Sequence, residues 1–121
     1  MVSVNFDLSK IVEEHTFKFY VKGHANSDVE GKDLVCAGIS TLTYGFLNVI
    51  DKTYTNKVEK EIIDEKGNVE VTLHFPNEFY IGKELLSMFY GIFQSFYISF
   101  KMLEDKYPQY VKCEMKWFKT V

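Results

Sequence analysis

The chain has 121 residues and a formal net charge of −3, and all 14 of its basic residues are lysine. A chain of this length can bury one hydrophobic core without disulfides or a structural metal, so we expect a single domain spanning residues 1–121. An acidic balance without arginine argues against a nucleic-acid or anionic-membrane surface, because such surfaces require a concentrated basic patch.

The N-terminal sequence MVSVNFDLSK has neither the basic start nor the apolar core of a signal peptide. We therefore expect a cytoplasmic protein in which Cys36 and Cys113 remain free thiols. The uncharged stretch at residues 85–100 has 16 residues, fewer than the roughly 20 that a membrane span needs, and it is predicted to be a buried helix.

Alternation of apolar and polar residues predicts five strands. Residues 2–8 and 17–22 each have the period of two that is typical of a half-buried strand. Residues 57–64 and 69–75 predict a hairpin, because a turn sequence with glycine separates them. Residues 111–117 alternate again and predict the last strand.

Helical periodicity appears in two segments between these strands. The first runs from Val35 to about Asp51, with Asp33 as its predicted N-cap, and the second spans residues 78–106 and ends before Pro108. The resulting ββαββαβ order predicts an α+β fold, a two-layer sandwich in which two helices cover one face of a mixed or antiparallel sheet.

The second helix carries more apolar residues than one sheet face can bury. Its surplus indicates a symmetric homodimer, unless the first helix and the long loops cover it within one chain. The sequence leaves both alternatives open.

The segment GHANSDVEGKDLVCAG, residues 23–38, places a histidine at the end of a strand and a cysteine near the start of the next helix. Unpaired amide groups and the helix dipole at such a position favour a thiolate, and a nearby imidazolium favours it further. A Cys36–His24 couple has the nucleophile and the base that acyl transfer needs, and the same helix end offers amides for an oxyanion. Taken alone, the pattern is more typical of a cysteine that only packs in the core.

Other sites are less well supported. Zinc would need more ligands at recognisable spacing than His24, Cys36, His15 and His74 supply, and no phosphate-binding glycine motif is present. We expect no metal or cofactor. Cys113 is predicted to face the core, and His15 and His74 are predicted to face solvent.

The residues GHA, six further residues and KDLVCAGIS resemble the signature of the ribosomal-processing cysteine protease family, the Prp or YsxB-like proteins. The resemblance is carried by residues that are in register with the motif of the family: Gly23, His24, Ala25, Gly31, Asp33, Val35, Cys36, Ala37 and Ser40.

This resemblance implies a cytoplasmic, homodimeric endopeptidase that removes the N-terminal extension of a large-subunit ribosomal protein, the one numbered twenty-seven. Family members cut it after a Phe-rich segment before Ala. By the same resemblance Cys36 is the nucleophile and His24 the general base. The alternatives are a non-catalytic ribosome-assembly or peptide-binding module of the same fold, and a redox or metal sensor that uses Cys36.

Four motif residues have supporting roles in this hypothesis. Asp33 would cap the helix or, less directly, orient His24. Ser40 follows Cys36 by one turn and would contact substrate or pack. Gly23 and Gly31 are predicted to act as hinges of the loop between them.

Overall fold

The computed structural model describes residues 1–23, 32–65, 68–77 and 79–118. The elements, in chain order, are β1 (Val2–Asp7), α1 (Ile11–Glu14), β2 (Thr16–Lys22), α2 (Lys32–Thr53), β3 (Glu59–Glu65), β4 (Asn68–His74), α3 (Phe79–Lys106) and β5 (Val111–Lys116). The predicted α+β sandwich and its ββαββαβ order are confirmed, with α1 as an addition.

The five strands form one mixed sheet in the order β3-β4-β2-β1-β5. β1 pairs in parallel with β5, whereas the other neighbouring strands are antiparallel. Alternate residues of β1 and β4 are buried, as their period of two predicts. One face of the sheet therefore forms the core, and the other carries the polar residues of each strand.

Aromatic rings fill the space between the sheet and the two long helices. The ring of Phe6 lies at the centre, with its centroid 4.9 to 6.4 Å from those of six others: Phe17, Phe19, Phe46, Phe93, Tyr97 and Phe100. Most of these pairs are edge-on or tilted, which is the arrangement that ring quadrupoles favour. Because α2 supplies one ring of this cluster and α3 supplies three, both helices pack on the same face of the sheet.

The short helix α1 was not predicted, because four residues are too few to show a helical period. It buries Ile11 and ends at His15, which takes a left-handed φ of 50°. The carbonyl of His15 accepts a 2.8 Å hydrogen bond from the amide of Phe75. The prediction that His15 is a solvent-facing histidine is wrong, since it is half-buried in this connection.

The segment Leu34–Thr53 of α2 is long and apolar enough to cross a membrane by length and composition alone. Its packing accounts for that character, because Val35, Phe46 and Ile50 are buried against the sheet. A second side of the helix contacts α3, where Leu103 lies 3.3 Å from the position of a Cβ at Gly38. We therefore interpret α2 as a core helix of the sandwich.

Candidate active site

The candidate site lies at the end of the sheet where β2 leads towards α2. Gly23 follows the last residue of β2 and has a φ of 99°, a region that side chains rarely enter. A Cβ at this position would collide with the carbonyl oxygen of Met1. Glycine is therefore required here by conformation and by space.

A hydrogen bond also fixes this corner. The amide of Gly23 donates to Oδ1 of Asn68, the first residue of β4, at 3.2 Å. This contact could not be predicted, because an asparagine after glycine is typical of a hairpin turn. Asn68 thus holds the backbone immediately before His24.

His24 and Gly31 lie outside the described residues. The predicted couple of His24 with Cys36, and the predicted hinge at Gly31, therefore stay predictions.

Cys36 is the fifth residue of α2 and a half-buried free thiol. It follows Val35, which is fully buried and anchors the first turn of the helix in the core. The helix begins at Lys32, one residue before Asp33, and the capping role of Asp33 stays a prediction. In an α-helix the first four amides have no intrahelical partner, so Cys36 directly follows the free amides. These amides are the donors available to an oxyanion at this end of α2.

Ser40 lies one turn beyond Cys36 and is exposed. An angle of 40° around the helix axis separates positions four residues apart. The two side chains therefore stand on neighbouring parts of the same helix surface. A molecule in contact with the Cys36 thiol would have the Ser40 hydroxyl within its reach.

Cys113 has different surroundings. It lies on β5 with 1% of its surface exposed, which confirms that it faces inward. Burial raises the pKa of its thiol to about 12. A thiol that remains protonated and shielded from solvent is a poor nucleophile.

The outer side of Cys113 is occupied by an acidic side chain. The main-chain amide of Cys113 donates a 2.6 Å hydrogen bond to Oε2 of Glu104 on α3. Oε1 of the same carboxylate accepts a 2.9 Å hydrogen bond from the Lys101 ammonium. The amide hydrogen bond and Lys101 hold the pKa of Glu104 below its ordinary value. The contact is structural, and it joins the edge of the sheet to α3.

The other polar groups gather at the opposite end of the sheet. Nδ1 of His74 lies 3.1 Å from the Thr16 hydroxyl, and Nε2 lies 3.9 Å from a Glu61 oxygen. A cavity of about 500 Å³ opens beside them. Its lining residues are Glu14, Lys57, Glu59, His74, Phe75, Pro76 and Asn77.

In the described part of the chain, no three His, Cys, Asp or Glu side chains are grouped so as to hold a metal ion.

Comparison with known families and structures gives an independent view of the same chain. A family model described as cysteine protease Prp matches residues 1–112. No curated protein matches the chain.

Three solved structures are similar in fold. A Staphylococcus aureus ribosomal processing protease Prp, in complex with a covalently linked product peptide, is 21% identical, with 96% of this chain and 100% of that chain covered and a TM-score of 0.67. The same S. aureus protease in complex with a substrate peptide is 18% identical, with the same coverage and a TM-score of 0.67. SMU.848 from Streptococcus mutans is 21% identical, covers 97% of this chain and 95% of its own, and has a TM-score of 0.64.

The family model extends from β1 to the start of β5 and includes both Gly23 and Cys36. The last residues, 113–121, lie beyond it. The match covers well over half of the chain, and the chain belongs to the Prp family of cysteine proteases.

Proposed function

We propose that this chain is the endopeptidase that removes the N-terminal extension of a large-subunit ribosomal protein, cutting after a Phe-rich segment. The family match over residues 1–112 carries the proposal. The S. aureus relative supports the choice of substrate, since it is a ribosomal processing protease that was solved with a substrate peptide.

In the proposed mechanism Cys36 and His24 form the catalytic couple. The Cys36 thiolate attacks the carbonyl carbon of the scissile peptide bond, and the free amides of the first turn of α2 stabilise the oxyanion. His24, which has accepted the proton of the Cys36 thiol, then gives it to the leaving amine as the carbon–nitrogen bond breaks, which leaves an acyl group on the sulfur. Water, deprotonated by His24, attacks this thioester and releases the second product with the free Cys36.

The geometry around Gly23 supports this assignment of roles. The Asn68 hydrogen bond holds the residue before His24, and the carbonyl of Met1 leaves room there only for glycine, so the imidazole would start from a fixed backbone position. Val35 anchors the residue before Cys36 in the same way. A substrate carbonyl would therefore meet a nucleophile and a base that are each preceded by an anchored residue.

The remaining motif residues have supporting roles in the proposal. Asp33, in the first turn of α2, helps to hold the start of the helix, and Ser40 contacts the bound peptide. Gly31 and Gly23 flank the loop that closes over that peptide.

We also propose a cytoplasmic homodimer. Two free cysteines suit a reducing compartment. On α3 the side chains of Met88, Ile98 and Met102 are 52%, 57% and 67% exposed, and they form an apolar stripe. α2 packs against α3 near Leu103 and Phe96, which lie beside the stripe, and the three exposed side chains are available to a second copy. In sedimentation-velocity runs, Ile98→Glu should shift the protein towards the monomer.

The main test uses the purified chain with the ribosomal precursor from its own organism. Cys36→Ala should lower the cleavage rate by roughly 10⁴-fold or more and leave the circular dichroism spectrum unchanged. Cys113→Ala is the matched control, because it removes the other thiol and should retain cleavage. Cleavage by Cys36→Ala at the rate of the unmodified chain would disprove the mechanism.

A second pair of variants tests the base. His24→Ala should lower the rate by roughly 10²- to 10⁴-fold, as expected on removal of a general base. His74→Ala is its control, because His74 lies at the far end of the sheet and should have no effect on the rate. Equal rates for the two variants would remove His24 from the couple.

A further inference from the structure

The two sides of α2 face different parts of the molecule. Gly38 and Gly45 face α3, where side chains of that helix lie 3.3 to 3.4 Å from the positions of their Cβ atoms. On another side the Tyr44 hydroxyl donates a 2.9 Å hydrogen bond to Asp64 of β3, and Asp51 lies 2.6 Å from the Lys60 ammonium, also of β3.

The position of Cys36 on this helix follows from a rotation of 100° per residue. Ser40 stands about 40°, Asp51 about 60° and Tyr44 about 80° from Cys36 around the axis, all in the same direction. Gly45 stands about 180° away. Cys36 therefore shares the side of α2 that faces β3, and it turns away from α3.

β3 is an edge strand of the described sheet, since it pairs with β4 and no other described strand lies beside it. Six of its seven residues are exposed, and the exception, Lys60, is half-buried. The side chains of Ile62 and Ile63 are 49% and 52% exposed. An edge of this kind offers unpaired amides and carbonyls to an incoming strand.

The charge of this edge is concentrated and of one sign. β3 contains four acidic residues and one lysine, a formal charge of −3 that equals the net charge of the whole chain. Within the described residues Glu59 and Glu65 have no ion pair, and Lys60 is paired with Asp51. The outward face of the strand presents Glu59, Glu61 and Glu65 around Ile63.

From this arrangement we infer that the edge of β3 binds an extended, lysine- or arginine-rich segment of the substrate as an added strand. Main-chain hydrogen bonds would supply the pairing, and the row of glutamates would select positive side chains on the same face. The inference rests on the proposed function, because it places this segment in continuity with the peptide bound at Cys36.

The distance between the two places fits one polypeptide. Contacts pair Tyr44 with Asp64 and Asp51 with Lys60, so β3 runs antiparallel to α2 and its end at Glu65 is nearest to Cys36. Eight helical residues from Cys36 to Tyr44 correspond to about 12 Å, which about four extended residues would span. The basic side chains should therefore lie about four or more residues from the scissile bond.

A second copy of this chain is a poor occupant of the same edge. Pairing two β3 strands would place glutamates of both copies side by side, and like charges across a strand pair are destabilising. A cationic strand brings the opposite sign, and its attraction to β3 should weaken as salt is added.

The test uses three peptides that share one scissile sequence. One peptide is neutral. The other two each carry three lysines at least four residues from the scissile bond, one on its N-terminal side and one on its C-terminal side. For one of the two lysine peptides, the unmodified chain should have a kcat/KM about tenfold higher than for the neutral peptide, because its KM is lower. This difference in kcat/KM should become smaller as salt is added. The triple variant Glu59→Gln, Glu61→Gln and Glu65→Gln should lose the advantage and still cleave the neutral peptide normally.

The control variant neutralises three exposed acids elsewhere: Glu13→Gln, Glu84→Gln and Asp105→Asn. It should retain the preference for lysine. A preference that survives in the β3 variant, or that is lost equally in the control, would overturn the inference. So would the absence of any lysine preference in the unmodified chain.

A binding measurement separates this inference from the proposed function. In Cys36→Ala, the preferred lysine peptide should slow amide hydrogen exchange at alternate residues of β3 and leave β1 unchanged. This result would support the edge even if no cleavage were found with any substrate. Binding of the peptide without slower exchange in β3 would rule out strand addition.

Discussion

The two cysteines lie in opposite kinds of surroundings within one small fold. Cys36 is half-buried in the second turn of α2, on the side that looks towards an open edge strand. Cys113 lies between the sheet and α3, with 1% of its surface exposed and its amide held by Glu104. The same side chain is therefore accessible in one place and enclosed in the other.

This difference shows how the fold separates stability from chemistry. The aromatic core and the β5–α3 contact are densely packed, and they hold the sheet and both helices in register. At the end of the sheet near Gly23, the backbone is held by the Asn68 hydrogen bond, and Cys36 of α2 is only half-buried.

The largest expected difference is in thiol reactivity. In the folded chain, iodoacetamide should alkylate Cys36 roughly a thousand-fold faster than Cys113, because Cys113 reacts only when the core opens. Mass spectrometry of the digested protein measures both rates. In denaturant the two alkylation rates should become similar. Similar rates in the folded chain would instead show that the two thiols do not differ in accessibility.

The next effect concerns the core beside Cys113. Phe6→Ala should lower the free energy of unfolding by about 3 to 5 kcal/mol, because it leaves a cavity among six aromatic rings. Urea unfolding followed by circular dichroism measures this loss. Ser40→Ala is a suitable control on the open side, and its expected change is within about 0.5 kcal/mol.

A smaller effect is expected at the edge of β5. The pKa of Glu104 is lower in the folded chain than its ordinary value. Its carboxylate therefore stabilises the folded state at pH values above that ordinary pKa. This stabilisation should be lost as the pH falls from the ordinary pKa of a glutamate to the lower pKa of Glu104 in the folded chain. Glu104→Gln should cost about 1 kcal/mol at neutral pH and should flatten the dependence of unfolding on acid.

Urea titrations at several pH values, compared between Glu104→Gln and the unmodified chain, measure both changes. An equally steep acid dependence in the two proteins would mean that other carboxylates control it. In that case Glu104 would be only one of several acids that stabilise the folded state.

Most of the fold could be predicted from alternation and helical period. The strands β1, β2, β4 and β5 follow from their buried alternate residues, and the hairpin follows from its turn. The short helix α1 could not be predicted, because a single turn has no period. The start of α2 was placed too late, since Asp33 is a good N-cap by type although the helix begins before it.

The site could be predicted only in part. The spacing of His24 and Cys36 indicated a couple, and the position of Cys36 at the start of a helix follows from the sequence. The contacts of Gly23 with Met1 and Asn68 join three strands that are distant along the chain, so no local pattern indicated them. The orientation of Cys36 towards β3 likewise depends on tertiary packing.

The carboxylate of Glu104 has a consequence for assembly. It accepts a hydrogen bond from an outward-facing amide of β5, whereas at β3, the opposite edge of the sheet, no described side chain accepts from a main-chain amide. Continuous stacking of sheets edge to edge requires two free edges in every molecule, and in this sheet the β5 edge is partly occupied by Glu104. Edge-to-edge stacking of this chain would therefore be interrupted at β5, which favours a one-to-one complex with an added strand over fibrils.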